Sequence, residues 1–245
     1  MRTVIVHRKD QTNTGDITSS PKLYYDWLND ADEIDILHVM SHDLTDCNVI
    51  VGGGGLLHPP FEPFLQYILE SDTNALVLWG IGRNAHDVQD ATIMPECGKD
   101  LIAKADLVGL RDSSVDEDWV PCPSVNHQIF KISSFIKPSE KKVVLLHTQR
   151  DLEVWVKPYR NLHMRMDQPI EAVLDFILKG ETVVSSSYHG CLWANWLQRE
   201  VIVANSFSQK FVWGLGSSFD EALSRSEQFA DEVKSLLYPP QYYGH

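Results

Sequence analysis

With 245 residues and a formal net charge of −13, the chain has the length for one large or two small α/β domains and lacks the basic field that nonspecific binding to nucleic acid or anionic lipid requires. Its 43% hydrophobic and 22% charged residues support a substantial core and argue against disorder. No run approaches the roughly 20 apolar residues of a membrane span, so no integral membrane segment is expected; the apolar stretch in MRTVIVHRKD reads as too short for a signal peptide, and Cys47, Cys97, Cys122 and Cys191 are too dispersed for a zinc site or a disulfide framework, so reduced thiols in a cytoplasm are the simplest expectation.

Short β-branched runs then alternate with amphipathic stretches. Strands are predicted at residues 3–6, 34–39, 48–51, 75–79 and 107–110, with helices at 21–28, 61–70 and 98–103 between them. Such alternation means βαβ units and a mostly parallel sheet. Pro121, Pro123 and Pro138 frame a less regular segment that reads as the passage between domains. A second series follows, with strands at 143–146, 182–185 and 201–204. Its first helix, 169–178, carries Ile170, Val173, Leu174 and Ile177 on one face. A second helix spans 191–197 and a last one 220–237, where Ser218 and Glu221 have the capping-box spacing. Two Rossmann-like domains are expected, 1–125 and 126–245, with the last helix a candidate for packing back on the first.

Ligands of open parallel sheets bind beyond the carboxyl ends of the strands, and the unusual segments of this chain fall there. Asn13-Thr14-Gly15-Asp16 follows the first strand; an Asx turn feeding a helix is the plain reading. Gly52-Gly53-Gly54-Gly55 follows the third, and its entropic cost implies a need for positive φ or bare backbone. An anion nest and close packing explain it equally well; it is neither a dinucleotide fingerprint nor a Walker loop. Arg83, after Gly80-Ile81-Gly82, and Arg111 end neighbouring strands. Either would grip a phosphate or carboxylate, with a salt bridge to Asp112 or Asp116 as the bland alternative for Arg111. The run Ser185-Ser186-Ser187-Tyr188-His189-Gly190 places a histidine at a helix start, where the dipole disfavours an imidazolium and a bound anion would restore it. A histidine that caps its own helix is the alternative. No G-x-S-x-G supports a serine hydrolase, and His7, His38, His42, His58 and His86 show no metal-ligand spacing, so no metal is predicted.

Together these motifs resemble the polysaccharide pyruvyl transferase family. The matching pieces occur in the family's order: Asn13-Thr14-Gly15-Asp16, Gly52–Gly55, Gly80-Ile81-Gly82, Arg111-Asp112-Ser113-Ser114, Val120-Pro121-Cys122-Pro123-Ser124 and Ser186-Ser187-Tyr188-His189-Gly190, followed by Ser206-Phe207-Ser208-Gln209-Lys210-Phe211. The resemblance implies a GT-B-like fold, two Rossmann-like domains with mostly parallel sheets facing across a cleft. It implies transfer of a pyruvyl group from phosphoenolpyruvate to a sugar of a polysaccharide or lipid-linked precursor, giving a pyruvate ketal without a cofactor. His189 and Arg111 carry over as donor-site residues, His189 as proton donor. Arg83, Ser186, Ser187, Tyr188, Gly53, Gly54 and Lys210 complete the expected donor site. Asp16 ranks ahead of Glu62 as base for the acceptor hydroxyl. Ser187 departs from many relatives, which carry an arginine there; Arg83 and Lys210 are the candidate replacements. The expected location is the cytoplasm, with membrane contact only through a lipid-linked acceptor. The competing readings are a nucleotide-sugar glycosyltransferase of the same fold and a noncatalytic glycan-binding relative. Trp155, Trp193, Trp196 and Trp213 would stack on sugars or, more commonly for tryptophan, pack in the core.

Overall fold

A computed structural model describes residues 1–84, 94–112, 118–132, 136–146, 163–204 and 217–239. The chain is an α/β protein with two parallel sheets. The first contains β1 (Thr3–His7), β2 (Asp32–Asp35), β3 (Asn48–Leu57), β4 (Ala75–Arg83) and β5 (Leu107–Leu110) in the order β2-β1-β3-β4-β5. The second contains β6 (Glu140–Leu146), β7 (His163–Arg165), β8 (Gly180–Ser185) and β9 (Glu200–Val203) in the order β7-β6-β8-β9. Both orders reverse direction beside their first strand, at β1/β3 and at β6/β8. Ligand crevices of doubly wound sheets open at such reversals, so the connectivity is consistent with two Rossmann-like units.

The first sheet is covered on both faces, which is why its central strands β1, β3 and β4 carry unbroken apolar runs rather than alternating ones, while the edge strand β2 is charged. Val4, Val6, Val49, Val51, Leu76 and Leu78 face one core together with Leu65, Ile68 and Leu101. The intervening Ile5, Ile50, Val77 and Trp79 face the other, as the period of two requires. That second core is closed by the C-terminal helix Phe219–Leu237. Its buried stripe of Ala222, Ser226, Phe229, Ala230, Val233 and Leu237 has helical spacing. Phe229, Ala230, Val233 and Leu237 of this stripe pack with Ile5 and Trp79 of the first sheet. Ser218 starts the helix by accepting from the Glu221 amide at 3.2 Å. In the second unit Val143, Leu145 and Val183 pack against the helix Ile170–Lys179 and against Cys191, Leu192 and Trp193.

Several segments differ from the sequence expectation. The second strand ends at Asp35, whose carboxylate accepts from the Leu37 amide at 3.0 Å and starts a 3-10 helix over Ile36–Ser41. Residues 21–28 form two 3-10 turns, Pro21–Leu23 and Asp26–Leu28, in place of one α-helix. Both glycine segments lie inside strands: β3 runs through Gly52–Gly55 and β4 through Gly80–Gly82. The helix predicted to begin at Cys191 begins at Tyr188, because Ser187 is its N-cap. Among the described residues no helix is long and apolar enough to cross a membrane.

Candidate functional site

The reversal point of the first sheet gathers the segments that follow β1 and β3. After β1, Asn13 caps the short helix Thr14–Ile17 by accepting from the Gly15 amide at 3.1 Å, and its side-chain amide donates to Asp16 Oδ2 at 2.9 Å. The Asx-turn reading of this motif is therefore realised. Beneath it, His7 at the end of β1 is 2% exposed. Its Nδ1 lies 3.4 Å from the Asp16 carbonyl oxygen, and its Nε2 lies 3.4 Å from Oε1 of Glu33, the spacing of an ion pair rather than a well-aligned hydrogen bond. Ser20 donates to the same Glu33 oxygen at 2.5 Å. The neighbouring imidazole of His7, opposed by partial burial and aided by Ser20, pulls the Glu33 carboxyl down to about 2.

The glycines of β3 and β4 are explained by what lies against them. A Cβ on Gly53 would come within 2.5 Å of the Ser19 carbonyl oxygen. Gly54 is buried and adopts φ +85°, a conformation side chains resist; Asp16 Oδ1 and Ser19 Oγ are each 3.7 Å from where a Cβ would sit. Gly82 makes room for Arg111, whose Nε would lie 2.5 Å from a Cβ there, and Gly55 for Asn84, whose Cβ would lie at 2.7 Å, with Arg111 Nη2 at 3.2 Å. Close packing against Ser19, Asn84 and Arg111, with the positive φ of Gly54, is thus the physical reason for the bare backbone.

Arg111 itself follows β5 and is only 3% exposed. Its Nε and Nη1 are buried without a hydrogen-bond partner. Asp112, the carboxylate expected to pair with it, accepts instead from the Arg83 amide at 2.7 Å; Asp116 lies outside the described residues. The guanidinium carbon sits 4.3 Å from the centroid of the Tyr188 ring, so a residue of the first unit stacks on one of the second. Burial raises the Tyr188 hydroxyl well above the usual tyrosine range, with Arg111 opposing the shift. Arg83 ends β4 beside Leu57, which puts it on the strand next to Arg111, and it is half-buried.

The second reversal point contributes the run after β8. Ser185 Oγ donates to the Leu145 carbonyl at 2.8 Å and accepts from the Ser187 amide at 3.1 Å, which turns the chain sharply into the helix Tyr188–Trp196. Ser187 Oγ accepts from the Gly190 amide at 3.3 Å. Ser187 is therefore the cap, and His189 is the second residue of the helix, so the expected alternative of a self-capping histidine does not apply. Ser186, Ser187 and His189 are all at most 5% exposed. The imidazole is held between aromatic rings, 5.5 Å from Tyr188 and 5.4 Å from Trp193. It lies directly on the first unit: a Cβ on Gly15 would be 2.7 Å from its Cγ and 3.0 Å from its Cε1.

Among the residues expected from sequence, the structure thus brings together Asp16, Gly53, Gly54, Arg111, Tyr188 and His189, with Arg83, Ser186 and Ser187 at the adjoining strand end and helix start. Lys210 lies outside the described residues. Glu62 accepts from the Glu96 amide at 3.1 Å at an exposed helix start. Trp193 and Trp196 are core residues, while Trp155 and Trp213 lie outside the described residues. Sequence reasoning missed His7 and Glu33; a histidine closing the first strand of a parallel sheet was the available signal. All four cysteines are buried and unpaired by disulfides. Among the described residues no group of three His, Cys, Asp or Glu is arranged to hold a metal ion.

Fold and site together define an α/β protein with two parallel sheets and a buried guanidinium where the two units touch. No family model matches the chain, and no curated protein or solved structure matches it either.

Proposed function

We propose that this protein is a pyruvyl transferase that moves the pyruvyl group of phosphoenolpyruvate onto a sugar of a polysaccharide or lipid-linked precursor, in a GT-B-like cleft between its two units. The observation that carries the reading is Arg111: a guanidinium 3% exposed, with Nε and Nη1 lacking partners, stacked on Tyr188 one residue from His189. A buried cation with unsatisfied donors is costly unless a ligand completes it. Phosphoenolpyruvate supplies two anionic groups of suitable chemistry.

In this mechanism Arg111 and Arg83 hold the phosphate and carboxylate, with Ser186, Ser187, Tyr188 and Lys210 completing the donor site. Gly53 and Gly54 would contribute by letting Ser19 and the Asn13–Asp16 turn pack closely beside them. His189 gives a proton to the methylene carbon, which becomes the methyl group, and the neighbouring carbon becomes oxocarbenium-like. An acceptor hydroxyl adds there, losing its proton to Asp16. The C–O bond to phosphate then breaks, inorganic phosphate leaves with the proton held by Asp16, and a second hydroxyl closes the ketal as its proton returns to His189. No redox step occurs and no cofactor is required.

The test is phosphate release from phosphoenolpyruvate across a panel of saccharide acceptors. His189→Ala is expected to fold and to lose about 10²–10⁴-fold in rate, the usual contribution of a general acid. Turnover by that variant within a few-fold of wild type would remove His189 from the chemistry. Saturable binding of a nucleoside diphosphate with none of phosphoenolpyruvate would transfer the reading to a nucleotide-sugar glycosyltransferase.

A further inference from the structure

One of the contacts between the two units is made by a side chain that touches neither Arg111 nor His189 in any described interaction. Thr14 is 5% exposed and directs its donors across the chain. Its amide donates to the Met166 carbonyl at 2.6 Å. Its Oγ1 lies 2.7 Å from the same carbonyl and 2.6 Å from that of Gln168, so the single hydroxyl proton serves both acceptors. Thr14 is held in that pose by its own turn, since its carbonyl accepts from the Thr18 amide at 3.0 Å and from Thr18 Oγ1 at 2.7 Å. Met166 is equally fixed: it is fully buried, and its amide donates to the Leu146 carbonyl at the end of β6 at 3.0 Å. The connection therefore runs from one sheet end to the other through rigid backbone.

What this connection positions is adjacent to it. Gly15 carries no side chain and the His189 ring rests on it, and Asp16 lies over Gly54. A movement of 1–2 Å between the units, about the length of a bond (an order-of-magnitude figure from backbone dimensions), would leave the His189 ring without its seat. We infer that Thr14 is the latch that docks the Asn13–Asp16 turn onto the second unit, and that it acts as a positioning residue for His189 and Asp16. This rests on the proposed function only for its kinetic consequence; the docking itself is a statement about the fold.

The experiment compares full-length wild type with Thr14→Val, which keeps the shape and loses the hydroxyl, and with Thr14→Ser, which keeps the hydroxyl. Amide exchange followed by mass spectrometry is read in peptides covering residues 13–18 and 188–191. Thr14→Val is expected to exchange about 2–10-fold faster in both, the loss of one net hydrogen bond between the units. Thr14→Ser is expected to stay near wild type. Equal exchange in wild type and Thr14→Val, acceleration confined to residues 13–18, or failure of Thr14→Ser to restore protection would overturn the inference. Gly15→Ala provides a second arm, because alanine is welcome in the short helix and the atoms nearest its Cβ belong to the His189 imidazole. It is expected to speed exchange at 188–191 while leaving 13–18 within two-fold of wild type. In a pyruvyl-transfer assay Thr14→Val is expected to lower kcat about 2–10-fold, by loss of alignment, with Thr14→Ser rescuing it. Absence of any transfer would count against the proposed function, while the exchange rates would still decide whether Thr14 is the latch.

Discussion

Replacing Arg111 by methionine should make the protein more stable, the reverse of the usual outcome for a buried side chain. Most substitutions at buried positions destabilise by about 0.5–3 kcal/mol. Here the wild-type residue buries Nε and Nη1 without partners, and unsatisfied buried donors cost about 1–3 kcal/mol each. The stack on Tyr188, 4.3 Å from guanidinium carbon to ring centroid, returns about 2 kcal/mol at most. Methionine is unbranched, is close to arginine in length, and removes both orphan donors. The net expectation is a gain of about 2 kcal/mol, or roughly 4–8 °C in Tm for a chain of this size. The assay is thermal unfolding with and without millimolar phosphate or phosphoenolpyruvate. Anion should raise the wild-type Tm by mass action and leave Arg111→Met unmoved. A loss of stability greater than about 1 kcal/mol in Arg111→Met would mean the guanidinium has a structural partner, and Arg111 would no longer mark an anion site.

Two further perturbations probe the frame beneath the site. Glu33 has a carboxyl held at about 2 against an ordinary 4.5, chiefly by His7, and its side chain is 23% exposed. A depressed folded value contributes stability that is complete above pH 4.5 and vanishes as pH falls through about 2. Glu33→Gln should therefore cost on the order of 1–3 kcal/mol near neutrality, and acid titration of unfolding should show its deficit shrinking to nothing across that window; a deficit independent of pH would contradict the depressed Glu33 carboxyl. Phe229→Ala should cost about 3–5 kcal/mol in urea unfolding, because Phe229 is 1% exposed and packs its ring edge-on against Trp79 at 5.5 Å. Trp79 fluorescence should change in the same variant, and an unaltered emission spectrum would mean the C-terminal helix does not sit on the first sheet.

Much of the architecture is legible in the sequence because periodicity and local chemistry agree. The fifth strand, Leu107–Leu110, has the expected bounds, and the Ser218 cap does what its spacing to Glu221 implies. The glycine segments read as loops because bare residues give no β signal; they are strands that pair with their neighbours, and glycine is needed there because Pro21, Ser19, Asn84, Arg111 and the Pro121–Pro123 segment occupy the space side chains would take. The strand His163–Arg165 carries none of the β-branched residues that mark its neighbours and is defined by pairing with β6. Residues 36–41 are apolar enough for a strand, but Asp35 caps them into a 3-10 helix. In the site, Arg111 and His189 are marked by position at a strand end and a helix start. The roles of Thr14 and Gly15 are not, since Thr14 bonds to Gln168 across 154 positions of sequence and no local pattern encodes that contact. The Ser187 cap is hidden for a different reason: the same serine serves equally well as a helix cap and as a ligand contact, and only geometry separates the two.

The most direct test of the proposed donor site is calorimetric titration of wild type, Arg111→Met and His189→Ala with phosphoenolpyruvate. Saturable binding to wild type is expected, with binding lost or weakened at least tenfold (about 1.4 kcal/mol) in Arg111→Met and retained by His189→Ala, whose defect lies in proton transfer. Equal affinity in wild type and Arg111→Met would contradict the donor site, because the buried guanidinium would then have no part in holding phosphoenolpyruvate.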